Sequence, residues 1–176
     1  LLQIEKTRKL DIKEDIYFEI IRRKTASLLA SACAAGAWST TADDALTEKM
    51  RLFGEKIGIA FQIKDDLFDY GTANIGKPTG IDIREKKMTL PLIYTLQHSS
   101  KEQRRHIINI VKNHNKDKDR VNEVIALVKE NGGIEYTRQK MLQYRDEALA
   151  ILHELPESNI RAGLESLVRF TTDRKF

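Results

Sequence analysis

DDALTEKMRLFGEKIGIAFQIKDDLFDY, residues 43–70, is the stretch on which the fold turns. Leu46, Met50, Phe53, Ile57 and Phe61 recur at steps of three and four, the interval that lines side chains up along one face of an α-helix. Asp43 and Asp44 stand just ahead of them, where a carboxylate can accept from the backbone amides a helix leaves unpaired. The spacing predicts one helix running from this acidic start to about Tyr70.

The same periodicity continues on both sides. From Asp11 to Trp38, Ile16, Ile20, Ile21, Leu28 and Leu29 follow helical spacing, with Asp11 as N-cap and Glu14 and Asp15 in the first turn. Ser39-Thr40-Thr41 is expected to end this long helix. Residues 71–87 hold three glycines and Pro78 without apolar periodicity, which predicts a loop longer than most helix connections. A shorter helix with Leu92, Ile93 and Leu96 follows Pro91, and Ser100 with Gln103 makes a capping-box pattern for the next. Val121, Val124, Ile125 and Val128 line a further helix, ended by Asn131-Gly132-Gly133. Ile134, Thr137, Met141, Tyr144, Ala148, Ile151 and Leu155 carry another up to Pro156. Ser158 or Asn159 opens the last, with Ile160, Leu164, Leu167 and Val168 inward. No segment alternates as a strand would, so the fold class is all-α, an antiparallel helix bundle.

Composition bounds the function. A length of 176 residues suits one domain with one sizeable core. The net charge of +4 favours an anionic partner, but the basic residues never form a block of five or six, which argues against nucleic acid. Cys33 is alone in a run of small residues, so no disulfide framework is possible and a reducing cytoplasm is expected. The uncharged stretch from Thr25 to Ala42 is studded with Ser, Thr and Gly, so no membrane span is expected. The chain opens on Leu1-Leu2-Gln3-Ile4-Glu5, which reads as the interior of an element and suggests a piece of something longer.

Chemistry concentrates at the end of the central helix. Gln62, Asp65, Asp66 and Asp69 fall at steps of three and four and are expected on one face, meeting either solvent or a cavity inside the bundle. Like charges at this spacing cost an isolated helix about 0.2–0.5 kcal/mol per pair. Ile59, Ile63, Leu67 and Phe68 flank them, as in a largely buried helix. Hard oxygen ligands of this kind suit Mg²⁺, which commonly binds one or two carboxylates together with substrate phosphates. Lys24 lies four residues from both Ile20 and Leu28, which would place its ammonium on the apolar side, with the Thr25 hydroxyl beside it. The pair would either hold a phosphate oxygen or leave the lysine snorkelling from the helix edge. The loop from Gly76 to Lys87 offers Lys77 and Lys87 to an oxyanion, or is simply a solvated basic loop. Gly54 and Gly58 would widen a cavity or permit close helix packing. The four histidines form no zinc pattern, and no nucleophile elbow is present.

Taken jointly, Arg23-Lys24-Thr25, Gly58 to Tyr70, Gly76-Lys77, Gly80-Ile81-Asp82, Lys87 to Leu92 and Asn131 to Thr137 resemble, in order and spacing, the C-terminal half of trans-isoprenyl (polyprenyl) diphosphate synthases. The resemblance covers essentially the whole chain and implies an isoprenoid-synthase-type bundle, incomplete at its N-terminal side, with residues 1–176 forming the C-terminal part of one synthase domain. It implies that Asp65, Asp66 and Asp69 are the second aspartate-rich motif and bind Mg²⁺, with Asp65 the most direct ligand. Lys24, Thr25, Gln62, Lys77 and Lys87 match positions that bind an allylic diphosphate. The second substrate would be isopentenyl diphosphate, and the assembly a homodimer.

By the same resemblance the first aspartate-rich motif, the isopentenyl diphosphate site and the residues that set product length are absent from these residues. The chain alone is therefore expected to be inactive in elongation, and steady turnover by it would contradict this. The Lys87 to Ile93 stretch resembles long-chain, octaprenyl-type members more than farnesyl synthases. Two other readings compete: a non-catalytic subunit of a heteromeric synthase, against which the intact Asp65-Asp66-x-x-Asp69 and Lys24 argue, and a class I terpene cyclase, which would not need the Lys24-Thr25 and Gly76-Lys77 matches.

Overall fold

The computed structural model describes residues 13–71 and 79–173, and every regular element among them is helical. In chain order these are α1 (Glu14–Ile21), a π-helical turn (Arg22–Ala26), α2 (Ser27–Thr41), α3 (Asp44–Phe68), α4 (Ile81–Arg84), α5 (Leu90–His98), α6 (Lys101–Asn113), α7 (Lys118–Glu130), α8 (Gly133–His153) and α9 (Asn159–Asp173). The expectations placed on Asp11 and on Gly76, Lys77 and Pro78 lie outside the described residues.

Helix starts follow the expected chemistry. Asp43 Oδ1 accepts from the amides of Ala45 and Leu46 at 2.8 and 3.1 Å, Ser100 Oγ from Gln103 at 3.1 Å, and Ser158 Oγ from Arg161 at 3.1 Å. Each satisfies an amide that has no carbonyl partner within its helix. Proline sits in the first turn of α5, where its missing N–H costs nothing.

The structure departs from the sequence reading in three places. The long first helix is broken by the π turn, closed by a bond from the Ser27 amide to the Arg22 carbonyl, five residues back. One extra residue per turn shifts every later side chain, so the series Ile20, Lys24, Leu28 does not define an apolar face: Lys24 is exposed and Leu28 is 71% exposed. Ser39, Thr40 and Thr41 do not end α2. Their hydroxyls bond back to the carbonyls of Gly36 and Ala37, and the helix stops only at Ala42, which takes the left-handed conformation (φ 50°). The 71–87 connection also contains a helix, α4, whose Ile83 is fully buried.

The chain divides into two compact units, residues 1–20 with 65–138 and residues 21–64 with 139–176. In the first, α5, α6 and α7 pack on one another through Leu92, Ile93, Ile107, Ile110, Val121 and Val124, all at most 1% exposed. Their short connections make them antiparallel neighbours. Gly80 enters α4 with φ +76°, and a Cβ there would lie 2.5 Å from Val121 Cγ1, so both backbone angle and space require glycine. In the second unit, Phe53 and Ile57 of α3 meet Ala148, Leu149 and Leu152 of α8 and Val168 of α9. Cys33 packs against the edge of this core, and burial raises its thiol pKa. Gly54 and Gly58 serve close packing: a Cβ would fall 2.4 Å from the Leu29 carbonyl oxygen and 2.6 Å from Ala26 Cα respectively. No helix among the described residues is long and apolar enough to cross a membrane.

Candidate active site

The end of α3 places the first two carboxylates within its last turn. Asp65 is half-buried, whereas Asp66 is 7% exposed and receives a 2.7 Å hydrogen bond on Oδ2 from the hydroxyl of Tyr17 in α1. Tyr17 is itself 4% exposed, and burial, reinforced by the charge of Asp66, pushes its phenol well above the usual range, so it remains a donor.

Asp69 does not continue the face shared by Asp65 and Asp66, because α3 ends at Phe68. Its carboxylate turns to the start of α4 and accepts from the amides of Ile81 (Oδ1, 2.7 Å) and Asp82 (Oδ2, 3.0 Å), while its carbonyl accepts from the Gly80 amide at 2.9 Å. Burial raises the Asp69 carboxyl above its usual range and the Asp82 charge adds to this, against the pull of the two amides and of Lys87. Lys87 closes the group: its Nζ lies 2.5 Å from Glu85 Oε2 and 3.1 Å from Asp82 Oδ1, and the bond to Glu85, then that to Asp82, holds it protonated above the ordinary lysine range.

In the second unit, Thr25 Oγ1 donates to Gln62 Oε1 at 2.9 Å, linking the π turn to α3. The approach is possible because Gly58, one turn before Gln62, lets the Ala26 backbone come close. Lys24, on the same π turn, is exposed rather than buried against the apolar side. π-Helical turns concentrate at functional sites because they re-aim single side chains, and here the re-aimed pair is Lys24 and Thr25. Of the residues singled out from sequence, Asp65, Asp66, Asp69 and Lys87 thus belong to one unit and Lys24, Thr25 and Gln62 to the other, while Lys77 is outside the described residues.

Among the described residues no three His, Cys, Asp or Glu side chains are arranged as a closed metal cage. A hard cation of the Mg²⁺ type needs only one or two carboxylates and completes its octahedron with water and phosphate oxygens. Asp65 and Asp66 fit this demand: they are adjacent carboxylates on a rigid helix, and one oxygen of Asp66 is already fixed by a neutral donor. Asp69, with both oxygens on amides, fits it less well. Tyr17 and Asp82 were not picked out from sequence. A tyrosine amid Ile16, Ile20 and Ile21 signals a buried hydroxyl in need of an acceptor, but nothing local says which.

The polyprenyl synthetase family profile matches residues 1–128. An all-trans-nonaprenyl-diphosphate synthase (geranyl-diphosphate specific) of Rhodobacter capsulatus is 35% identical over 176 residues, 99% of this chain and 53% of that protein. The crystal structure of a decaprenyl diphosphate synthase from the same organism superposes with a TM-score of 0.91 at 33% identity, covering 98% of this chain and 54% of that one. A polyprenyl synthase from Caulobacter crescentus CB15, complexed with calcium and isoprenyl diphosphate, gives a TM-score of 0.90 at 34% identity over 98% and 53%. The chain spans about half the length of these relatives. With an all-helical fold matched along nearly its whole length, and with the family profile covering residues 1–128, the chain belongs to the polyprenyl synthetase family of trans-isoprenyl diphosphate synthases.

Proposed function

We propose that the protein is a trans-prenyltransferase that ionises an allylic diphosphate and condenses the resulting cation with isopentenyl diphosphate to lengthen a polyprenyl diphosphate. The observation that carries this reading is the pair Asp65 and Asp66 at the end of α3, with Asp66 buried and fixed by Tyr17, in a family whose named members are prenyl diphosphate synthases. Asp65 and Asp66, with Asp69 beside them, would hold Mg²⁺, which when bound offsets the negative charge that grows on the leaving diphosphate. The relative from Caulobacter crescentus, complexed with a divalent cation and isoprenyl diphosphate, supports that pairing of ligands.

Lys24, Lys77 and Lys87 bind diphosphate oxygens, and because charge on those oxygens increases as the allylic carbon–oxygen bond breaks, they stabilise the transition state more than the bound ester. Thr25 and Gln62 orient the allylic diphosphate as a hydrogen-bonded pair. The bonding electrons leave with diphosphate, the double bond of isopentenyl diphosphate attacks the allylic carbon, and the released diphosphate accepts the proton lost from the adduct. No protein base is required. In this reading the first aspartate-rich motif and the isopentenyl diphosphate contacts are not supplied by residues 1–176, which act as one part of a single synthase domain and do not elongate alone. A homodimer in the cytoplasm belongs to the same reading, and sedimentation of the full-length protein reads the assembly.

The test is Asp65→Ala in the full-length protein, assayed with geranyl and isopentenyl diphosphates and Mg²⁺. Loss of one preorganised charge-stabilising group predicts a fall of about 10²–10³-fold in kcat. Undiminished turnover would refute the assignment.

A further inference from the structure

Tyr17 carries a buried hydroxyl that no step of the proposed reaction uses. It is 4% exposed, lies 49 residues from Asp66 in the chain, and gives its proton to Asp66 Oδ2 at 2.7 Å. A buried phenol needs an acceptor, but a backbone carbonyl would serve for that purpose alone. Here the acceptor is instead the more buried carboxylate of the acidic pair. The chemistry of the donor matters. A lysine or arginine in this place would fix the carboxylate but cancel the charge a divalent cation needs, whereas a phenol orients it and leaves that charge intact.

We propose that Tyr17 is a positioning residue for the metal site, holding one oxygen of Asp66 so that the carboxylate meets the divalent cation through the other. This rests on the reading of Asp65 and Asp66 as Mg²⁺ ligands. Partners behind a metal ligand typically contribute 10–100-fold in metal affinity, which sets the expected effect at about that size.

The experiment is calorimetric titration of the full-length protein with Mg²⁺ in the presence of inorganic pyrophosphate, for the parent, Tyr17→Phe, Asp66→Asn and the double variant. Tyr17→Phe keeps the ring and removes only the hydroxyl, and circular dichroism checks that it folds. We expect Tyr17→Phe to weaken Mg²⁺ binding by about 10–100-fold, to raise the Mg²⁺ concentration for half-maximal turnover in parallel, and to add nothing once Asp66→Asn is present. Unchanged Mg²⁺ binding in Tyr17→Phe, or losses that multiply in the double variant, would overturn the proposal, even if the melting temperature falls. Asp65→Ala is the control. If it abolishes Mg²⁺ binding while Tyr17→Phe leaves binding unchanged, only the role of Tyr17 falls, and if Asp65→Ala leaves binding intact, the reading of the site falls with it.

Discussion

Replacing Gly58 by Ala should destabilise the protein, although α3 would gain a better helix former. On propensity alone the exchange favours Ala by about 0.8–1.0 kcal/mol in a helix interior. A Cβ at position 58 would, however, lie 2.6 Å from Ala26 Cα and 2.9 Å from Ala26 Cβ, far inside the roughly 3.5–4.0 Å optimum for two carbons. Ala26 is fully buried, and no flexible side chain can swing aside, so the π turn itself must move. Overpacking of this kind costs about 1–3 kcal/mol, and a clash with backbone belongs at the upper end, leaving a net loss of about 1–2 kcal/mol. Gly163 in α9 is the matched control, because a Cβ there meets nothing within 4 Å and Ala should stabilise by about 0.5–1 kcal/mol. Urea denaturation followed by circular dichroism reads both. Opposite signs are expected, and a gain in stability from Gly58→Ala equal to that from Gly163→Ala would show that α3 and the π turn do not approach as closely as described.

Asp69→Ala removes the acceptors of two amides at the start of α4 and should cost about 0.5–2 kcal/mol, with Asp69→Asn, which keeps one acceptor, falling between it and the parent. Denaturation in the presence of a chelator isolates this from any metal effect. Glu147 supplies a pH dependence. Burial opposes its ionisation, but the 2.6 Å bond from Lys56 and the bond from Gln143 outweigh that and lower its pKa. A carboxyl lowered in the folded state binds fewer protons there than in the unfolded chain, so its stabilisation is present above the usual carboxylate range and is lost as pH falls through the lowered value. The stability difference between the parent and Lys56→Met should therefore be present at neutral pH and close on acidification. A difference that stays constant with pH would exclude the ion pair as its source.

Much of the fold was legible because it is written locally. The caps at Asp43, Ser100 and Ser158 lie two or three residues from the amides they serve, and the stripe Phe53 and Ile57 lies on a single uninterrupted helix. The π turn was not legible, since a periodicity argument assumes one angular step per residue and the inserted residue leaves no compositional mark in Arg-Arg-Lys-Thr-Ala. The burial expected for Lys24 failed for that reason alone. Of the candidate site, the residue types were readable but their engagements were not. Asp69 reaches amides 12 and 13 residues ahead, and Asp66 meets Tyr17 across 49, separations that only the tertiary fold can close. Gly58 had two readings from sequence, and the distance to Ala26 decides for packing.

The grip of Asp69 on Gly80, Ile81 and Asp82 ties off the chain on either side of residues 70–79 like a drawstring. A carboxylate one residue past the end of α3 thereby fixes where α4 begins. Whatever moves Asp69 therefore also moves Asp82, and with it the ion pair that anchors Lys87.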